Sequence, residues 1–471
     1  MKRFTIALAG LALATTAQAA DTTDFKWDAE MRLRYTNDAG YNFQKEVSTT
    51  ATGNGNNINA ANTAGRNYNG VAQRVKVGVG MKRGDSLSGY VSIINHNFWG
   101  GTGGRTAAGD YTYGNNENVG TGTAGNVFIV NEAWGWWKAS DMAALKFGRS
   151  QMEIAGGAVA GPNDWQAIPN TFDGLQTMWD FEPVSLNLFG LKLRDLNPNG
   201  AAQTTQTDDA ESVMYGLVAG IKNLPEFLKK AEIHLLQTND ETTTSFVGAT
   251  TSTDRNEIMR YGFIVGGDAA NVDYKFITDM YTGKKKVSPS TASTGDQNLT
   301  GSMFDLTVGY TLPEVMMLRI GGNYHMDSGG EVTATDNKTY KPFHYSSHEF
   351  GGNMDVVQWG NVTYWGLNAG IKPTDDLGVR LDYLSYSRTS DRDSVSINGA
   401  TQSAETGTTT AGSSNKIGSE IDLTVTKTYG DNLSVWALYG VFTPDEFIKG
   451  NPASARDDAH TRIQLQGKLT F

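Results

Sequence analysis

Arg32 and Arg34 stand two residues apart, as do Arg74 and Lys76; Arg462 and Lys468 share an even spacing near the end of the chain. In extended backbone, even spacing puts side chains on one face. Rows of this kind do electrostatic chemistry: they attract an anion and replace part of its hydration without forming a bond. Covalent chemistry finds little support. The chain has no cysteine, which removes thiol nucleophiles. His96, His234, His325, His344, His348 and His460 stand in no nucleophile motif such as G-x-S-x-G. His344 and His348 in "HYSSHE" have the spacing of a helical zinc pair, but this stretch reads as a solvated loop. No catalytic residue, metal ligand or cofactor is expected.

The elements that must position these cations are strands. With 55 glycines, 19 tyrosines and 10 tryptophans against 11 prolines, the composition favours strands and polar loops over helices. Alternating runs cover 25–35, 71–82, 86–98, 127–138, 143–150, 171–181, 184–193, 211–221 and 231–238. They continue over 257–268, 271–282, 302–311, 316–326, 358–371, 377–388, 416–428, 432–442 and 460–471, eighteen in all. Most approach the ~9–11 residues that a tilted strand needs to cross a bilayer. Short connections such as "GDS" (84–86) and "YGDN" (429–432) alternate with long ones such as "TATGNGNNINAANTAGRNYNG" (50–70). A soluble sandwich has no reason to alternate loop length in this way, whereas an outer-membrane barrel has short periplasmic turns and long outward loops. No segment has 18 consecutive apolar residues, and without spanning helices only a closed barrel satisfies the backbone in lipid. The expected fold is all-β, an antiparallel transmembrane β-barrel of about 18 strands.

Alternation also assigns the faces, since the apolar set must meet lipid and the polar set the lumen. Phe25, Trp27, Ala29, Met31, Leu33 and Tyr35 point outward, leaving Arg32 and Arg34 inside with Lys26, Asp28 and Glu30. Closure makes the last, first and second strands neighbours, so Arg32, Arg34, Arg74, Lys76, Arg462 and Lys468 share one stretch of wall. Further round, Arg260, Lys275, Arg319, Arg380 and Arg388 turn inward, as do Glu30, Asp273, Asp279, Asp305, Asp382, Glu420 and Asp422. These charges have two readings: cations and carboxylates neutralise one another in lumen ion pairs, or the cations dominate the pore and select anions. "VFIVNEAWGWWK" (127–138) is apolar on both faces, and "LNLFGLKLRD" (186–195) slips phase at Gly190, where a bulge is expected. Trp137, Trp179, Trp359 and Trp365 read as an interfacial girdle, with Trp134, Trp136 and Trp436 the candidates for inward stacking on a sugar.

Residues 1–19 read as a signal peptide: Lys2 and Arg3, an apolar run over 4–14, and the small-x-small site Ala17-Gln18-Ala19. The barrel then occupies 20–471, and removal of the two cations takes the formal charge from −11 to −13. That acidic balance argues against nucleic acid as a partner. The interval before the first strand is too short for a plug domain, which disfavours energy-coupled transport. The expected location is the outer membrane of a Gram-negative bacterium, in contact with the lipid bilayer and lipopolysaccharide.

Residues 145–191 hold Gly148-Arg149 at a strand end, Asn163-Asp164-Trp165 in the next loop and Thr171-Phe172-Asp173-Gly174 opening the following strand. With "MRLRY" (31–35), this stretch resembles the alginate-export family of outer-membrane proteins. The resemblance implies an 18-stranded barrel that passes a polyanionic uronate polymer or related solutes through a cationic lumen. The family resemblance also implies that Arg149 is a constriction cation, which requires a local bulge because Phe147 needs the lipid face; separately, the terminal Phe471 at the rim resembles the C-terminal aromatic signal that barrel-assembly machinery reads. Two positions depart from the family: Gly-Arg-Ser-Gln stands for Gly-Arg-Gln, and Asn170 replaces an arginine. The expected function is a passive channel for small or oligomeric anionic solutes, acidic sugars among them, with loop 99–126 or 152–170 folded inward. The alternatives are a non-selective porin and a surface protein whose loops act as adhesin or receptor.

Overall fold

The computed structural model describes residues 23–41, 43, 67–99, 127–195, 211–244, 252–286, 296–330, 332–333, 335–398, 400–402, 414–449 and 457–471. The signal-peptide reading of residues 1–19 and most of the expected constriction loop 99–126 lie outside them.

Eighteen long antiparallel strands form a closed wall. The first, Thr23–Ala39, pairs with the second, Asn67–Arg83, along its full length. Its other edge pairs with the last, His460–Thr470, from Glu30↔Thr470 to Ala39↔Thr461, which closes the sheet. Closure leaves no wall strand with a row of unpaired backbone groups. Alternation located the strands well: Val127–Lys138, Ala143–Ser150, Glu211–Ile221 and Leu377–Arg388 match the expected bounds. Others run longer at the long-loop end, such as Ser252–Ala269 and Val272–Lys286, because polar pairing continues beyond the apolar band.

Outward positions carry exposed apolar side chains, including Phe25, Trp27, Leu175, Ile233, Leu367 and Leu465. Phe471 sits at the short-turn rim, where its backbone exchanges two hydrogen bonds with Ala29 (3.3 and 2.9 Å). The bulges differ from expectation. Gly190 pairs regularly with Leu175 and Tyr215, and the register shifts between Lys192 and Arg194 instead. The apparent phase slip has another cause: Phe189 and Leu191 are inward and buried, so the lumen face itself becomes apolar there. In Val127–Lys138, a shift between Ser92 and Ile93 of the partner strand leaves Asn131 extra.

The core lies inside the barrel. Phe172, Phe189, Leu191, Met214, Leu236, Ile264, Ile277 and Met303 of the wall pack against Ile154, Val159 and Ala160 on one inward segment and Tyr340, Phe350 and Val356 on another. Trp359, expected in the interfacial girdle, belongs to this core: it is 5% exposed and stacks on His325 and Tyr345. Trp137, Trp179 and Trp365 are exposed on the outer wall, as a girdle requires.

Candidate functional site

Two inward segments occupy the lumen. The first, 151–171, joins Ala143–Ser150 to Phe172–Asp180 and folds back on itself through the Ile154–Ala160 bridge. Its Gly156 and Gly157 take φ of +62° and +84°, and a Cβ on Gly161 would lie 2.3 Å from Ser346 Oγ of the second segment. Small residues here permit both the turn and the close approach.

The second segment, 328–361, docks on the first. Gly161 N–H donates to the His344 carbonyl (2.8 Å), His344 N–H to Val159 (3.1 Å) and Ser346 N–H to Gly157 (2.9 Å). The expectation of a solvated loop at "HYSSHE" therefore fails, because that stretch serves as the docking surface between the two segments. His348 stacks on Trp165 (3.7 Å between centroids) and meets Asp355 (2.9 Å). Among the described residues no group of three or more His, Asp and Glu could hold a metal ion. Wall carboxylates anchor the segment: Glu420 accepts from Met354 N–H (2.9 Å), Asp422 from Asn353 N–H (2.7 Å), and Asp327 from the N–H groups of Gly360 (2.8 Å) and Val362 (2.5 Å). Burial, reinforced by the charges of Glu153 and Asp164, raises the Glu349 carboxyl above its ordinary range.

Four cations of the last, first and second strands, Arg32, Arg34, Arg74 and Lys468, grip the first segment. Register puts Arg32 beside both Arg74 and Lys468. Arg32 donates to the main-chain carbonyls of Asp164 (2.6 Å) and Gln166 (2.5 Å). Arg74 reaches the same two carbonyls (3.1 Å each), the Asp164 carboxylate (2.9 Å) and Glu30 (2.5 Å). Arg34 donates to the Trp165 carbonyl (2.7 Å) and lies flat on its indole, 3.7 Å from the centroid. Lys468 bridges Glu30 (3.1 Å) and Asp164 (3.8 Å), Lys76 lies 3.7 Å from Glu132, and Arg462 is bonded to Asp38 (2.7 Å) and the Met354 carbonyl (2.5 Å).

All six cations of this wall thus face inward, but they do not all line open space. Arg32, Arg74 and Arg462 are buried beneath the segments they hold, whereas the Lys468 side chain keeps a third of its surface. Arg260 is likewise inward but sealed, bonded to Asp279 (2.7 Å) and the Lys341 carbonyl (2.5 Å) under Tyr281 and Tyr340. Arg319 pairs with Asp273 (2.6 Å) and Arg380 with Asp382 (2.6 Å), so this sector follows the neutralising reading. Arg388 is spent on the carbonyls of Asp391 and Asp393 and on the Phe447 ring.

Arg149 requires a correction. The strand shows no bulge that would turn it inward: Phe147 and Arg149 share the outer face, and Arg149 makes a two-pronged pair with Asp173 (2.8 and 2.7 Å) beside exposed Leu175. It does not constrict the pore.

Of the two expected constriction loops, 152–170 does fold inward. The larger participant, 328–361, lies outside both expected constriction loops. Its signal was available in the aromatic and aliphatic content of "PFHYSSHEFGGNMDVVQW" (342–359), which is unusually apolar for a loop exposed to water.

Residues 130–462 match the family model for alginate export. Similar solved structures include OccK9 (OpdG) of Pseudomonas aeruginosa, with a TM-score of 0.57, 13% identity, and coverage of 95% of this chain and 99% of that one. OccAB1 of Acinetobacter baumannii gives 0.56 at 10% identity over 96% and 98% of the two chains. A BenF-like porin from Pseudomonas fluorescens Pf-5 gives 0.56 at 12% over 95% and 99%. At these identities the structural likeness carries the fold. No curated protein matches the chain. The barrel, its inward segments and the match over most of its length place this chain in the Gram-negative outer membrane as a member of the alginate export family of channel proteins.

Proposed function

We propose that this channel is a passive pore that prefers small or oligomeric acidic solutes, uronates among them. One observation carries the reading: both terminal nitrogens of Arg32 donate to main-chain carbonyls of the inward segment, which hold the guanidinium with no carboxylate at bonding distance among the described residues. Arg74 shares those carbonyls and Lys468 stands beside them at the accessible edge, so positive potential gathers on one side of the constriction. Low-dielectric walls focus that potential and enrich anions. Passage needs no covalent step. In the same reading, residues 1–19 direct export, Phe471 is presented to barrel-assembly machinery, and lipopolysaccharide surrounds the long-loop end.

The test is the reversal potential of the purified protein in a planar bilayer under a KCl gradient. A chloride-signed potential that weakens in Lys468→Glu supports the reading. A potassium-signed potential in the wild type overturns it and leaves a general porin.

A further inference from the structure

On the outer wall at the long-loop end, Ser252–Ala269 and Val272–Lys286 carry a charge pattern that the lumen does not use. Phe263, Tyr261 and Met259 follow one another up the outer face of the first strand, with Met280 opposite Tyr261 on the second, and all four are exposed. Even spacing keeps Thr282, Lys284 and Lys286 on the face of Met280, whereas Ile277, Asp279 and Tyr281 are buried on the inner one. The strand also sets their heights. At about 3.4 Å per residue and a tilt of about 40°, Met280 stands roughly 21 Å above Val272 at the short turn and Lys284 roughly 31 Å. The apolar band of an outer-membrane barrel is about 25 Å tall, so the apolar strip ends and the ammonium groups begin where hydrocarbon gives way to headgroups.

The two lysines are not equivalent. Glu257 lies directly opposite Lys284 in register, yet its carboxylate goes to Lys286, 3.0 Å away. Lys284 is exposed and, among the described residues, has no carboxylate at ion-pair distance. On its other side Asn298, also opposite in register, donates to Asp336 instead (3.2 Å). Amides and hydroxyls fill the rest of this level: Asn239 opposite Glu257, Gln237 bonded to Asn239 (3.1 Å), Thr282 and Thr300. A lysine at a loop tip is simply solvated. Here two ammonium groups share one face directly above an apolar strip, with amides and hydroxyls around them. That order matches an amphiphile whose acyl chains lie on the wall, whose phosphate meets the paired cations and whose sugar hydroxyls find the amides.

We infer that this face seats a phosphorylated acyl-glycolipid of the outer leaflet, with a phosphate on Lys284 and Lys286 and acyl chains on Met259, Tyr261, Phe263 and Met280. The inference rests on the reading that lipopolysaccharide surrounds the long-loop end, and gives that reading one defined contact. Glu257 works against the seat, because its carboxylate neutralises Lys286 and repels the phosphate.

Native mass spectrometry of the purified protein in detergent tests the seat. The added lipids are bisphosphorylated lipid A, the same lipid stripped of both phosphates, and phosphatidylglycerol, and heat-modifiable migration verifies that each variant is folded. The wild type should retain its first bisphosphorylated lipid A at a concentration at least about tenfold below that needed for either other lipid. Lys284→Gln should remove most of that advantage. Glu257→Gln should increase it several-fold, an effect that loss of a merely stabilising ion pair would not produce. Arg149→Gln, which removes a cation elsewhere on the outer wall, should leave it intact. An advantage that survives in the double variant Lys284→Gln, Lys286→Gln, or falls equally in Arg149→Gln, overturns the seat and leaves lipopolysaccharide at the long-loop end. Unchanged or weaker retention in Glu257→Gln overturns it too. A wild type that holds both glycolipids alike overturns the seat alone, and one that holds neither removes the lipopolysaccharide reading as well.

Discussion

Arg74 is the best single place to test whether the inward segment 151–171 is clamped by the wall. Its side chain is 1% exposed and serves four acceptors: Glu30, the Asp164 carboxylate, and the carbonyls of Asp164 and Gln166. Arg74→Ala does not orphan all of them. Glu30 keeps Lys468 at 3.1 Å, and both carbonyls keep Arg32. The Asp164 carboxylate is half exposed, so solvent screens that contact and it counts for little. What is lost is the buried Glu30 pairing and half of a shared carbonyl grip. Breaking a buried pair by removing one partner costs about 3–5 kcal/mol, and the retained partners place this case near the lower limit, about 3 kcal/mol. That amount changes the ratio of docked to undocked segment by about 150-fold. Single-channel recording should show a higher-conductance substate or increased open-channel noise in Arg74→Ala. Arg74→Lys should fall between, because an ammonium keeps the charge but cannot fork across two carbonyls and a carboxylate. If Arg74→Ala assembles, as judged by heat-modifiable migration on gels, yet conducts with wild-type amplitude and noise, the segment is not held by this clasp and the reasoning is wrong.

Other consequences are as direct. The Glu349 carboxyl is raised mainly by burial, so the folded protein binds its proton more tightly than the unfolded chain does. Docking is therefore favoured as pH falls and weakened as pH rises through the raised value. Between neutrality and the ordinary carboxylate range, acidification should increase chloride preference and quiet the channel, and Glu349→Gln should flatten that dependence. Asp327→Ala strips acceptors from Gly360 N–H and Val362 N–H and leaves buried His325 with Asp305 alone. It should lower thermal stability by about 3 kcal/mol or more, read as a drop in the temperature of heat modification. Arg149→Ala should leave conductance and ion selectivity at wild-type values and cost at most about 1 kcal/mol, since its pair with Asp173 is solvent-facing on the outer wall. Altered selectivity in that variant would return Arg149 to the pore.

The strands were legible because their requirement is local. Each crossing must alternate lipid-facing and lumen-facing residues whatever the rest of the chain does, so Glu211–Ile221 and Leu377–Arg388 could be bounded from their own residues. The basic row at the junction of the last, first and second strands was legible for a related reason: closure makes those strands neighbours, and parity then turns their cations inward. Parity failed where the lumen face becomes apolar. Phe189 and Leu191 break the pattern because they meet a folded segment rather than water, and nothing in their own strand announces that segment. Arg149 was misplaced because a bulge was assumed in order to accommodate a resemblance, whereas the backbone keeps regular pairing with Asp173. The amino-acid sequence by itself determined a barrel and the sign of charge on one part of its wall. Only the tertiary structure decided which of those charges face open space. Arg32 meets its acceptors 132 and 134 residues away in the chain, and Arg462 meets Met354 across 108. Such contacts depend on how two inward segments fill a closed lumen, a matter of three-dimensional fit that no spacing along the chain encodes.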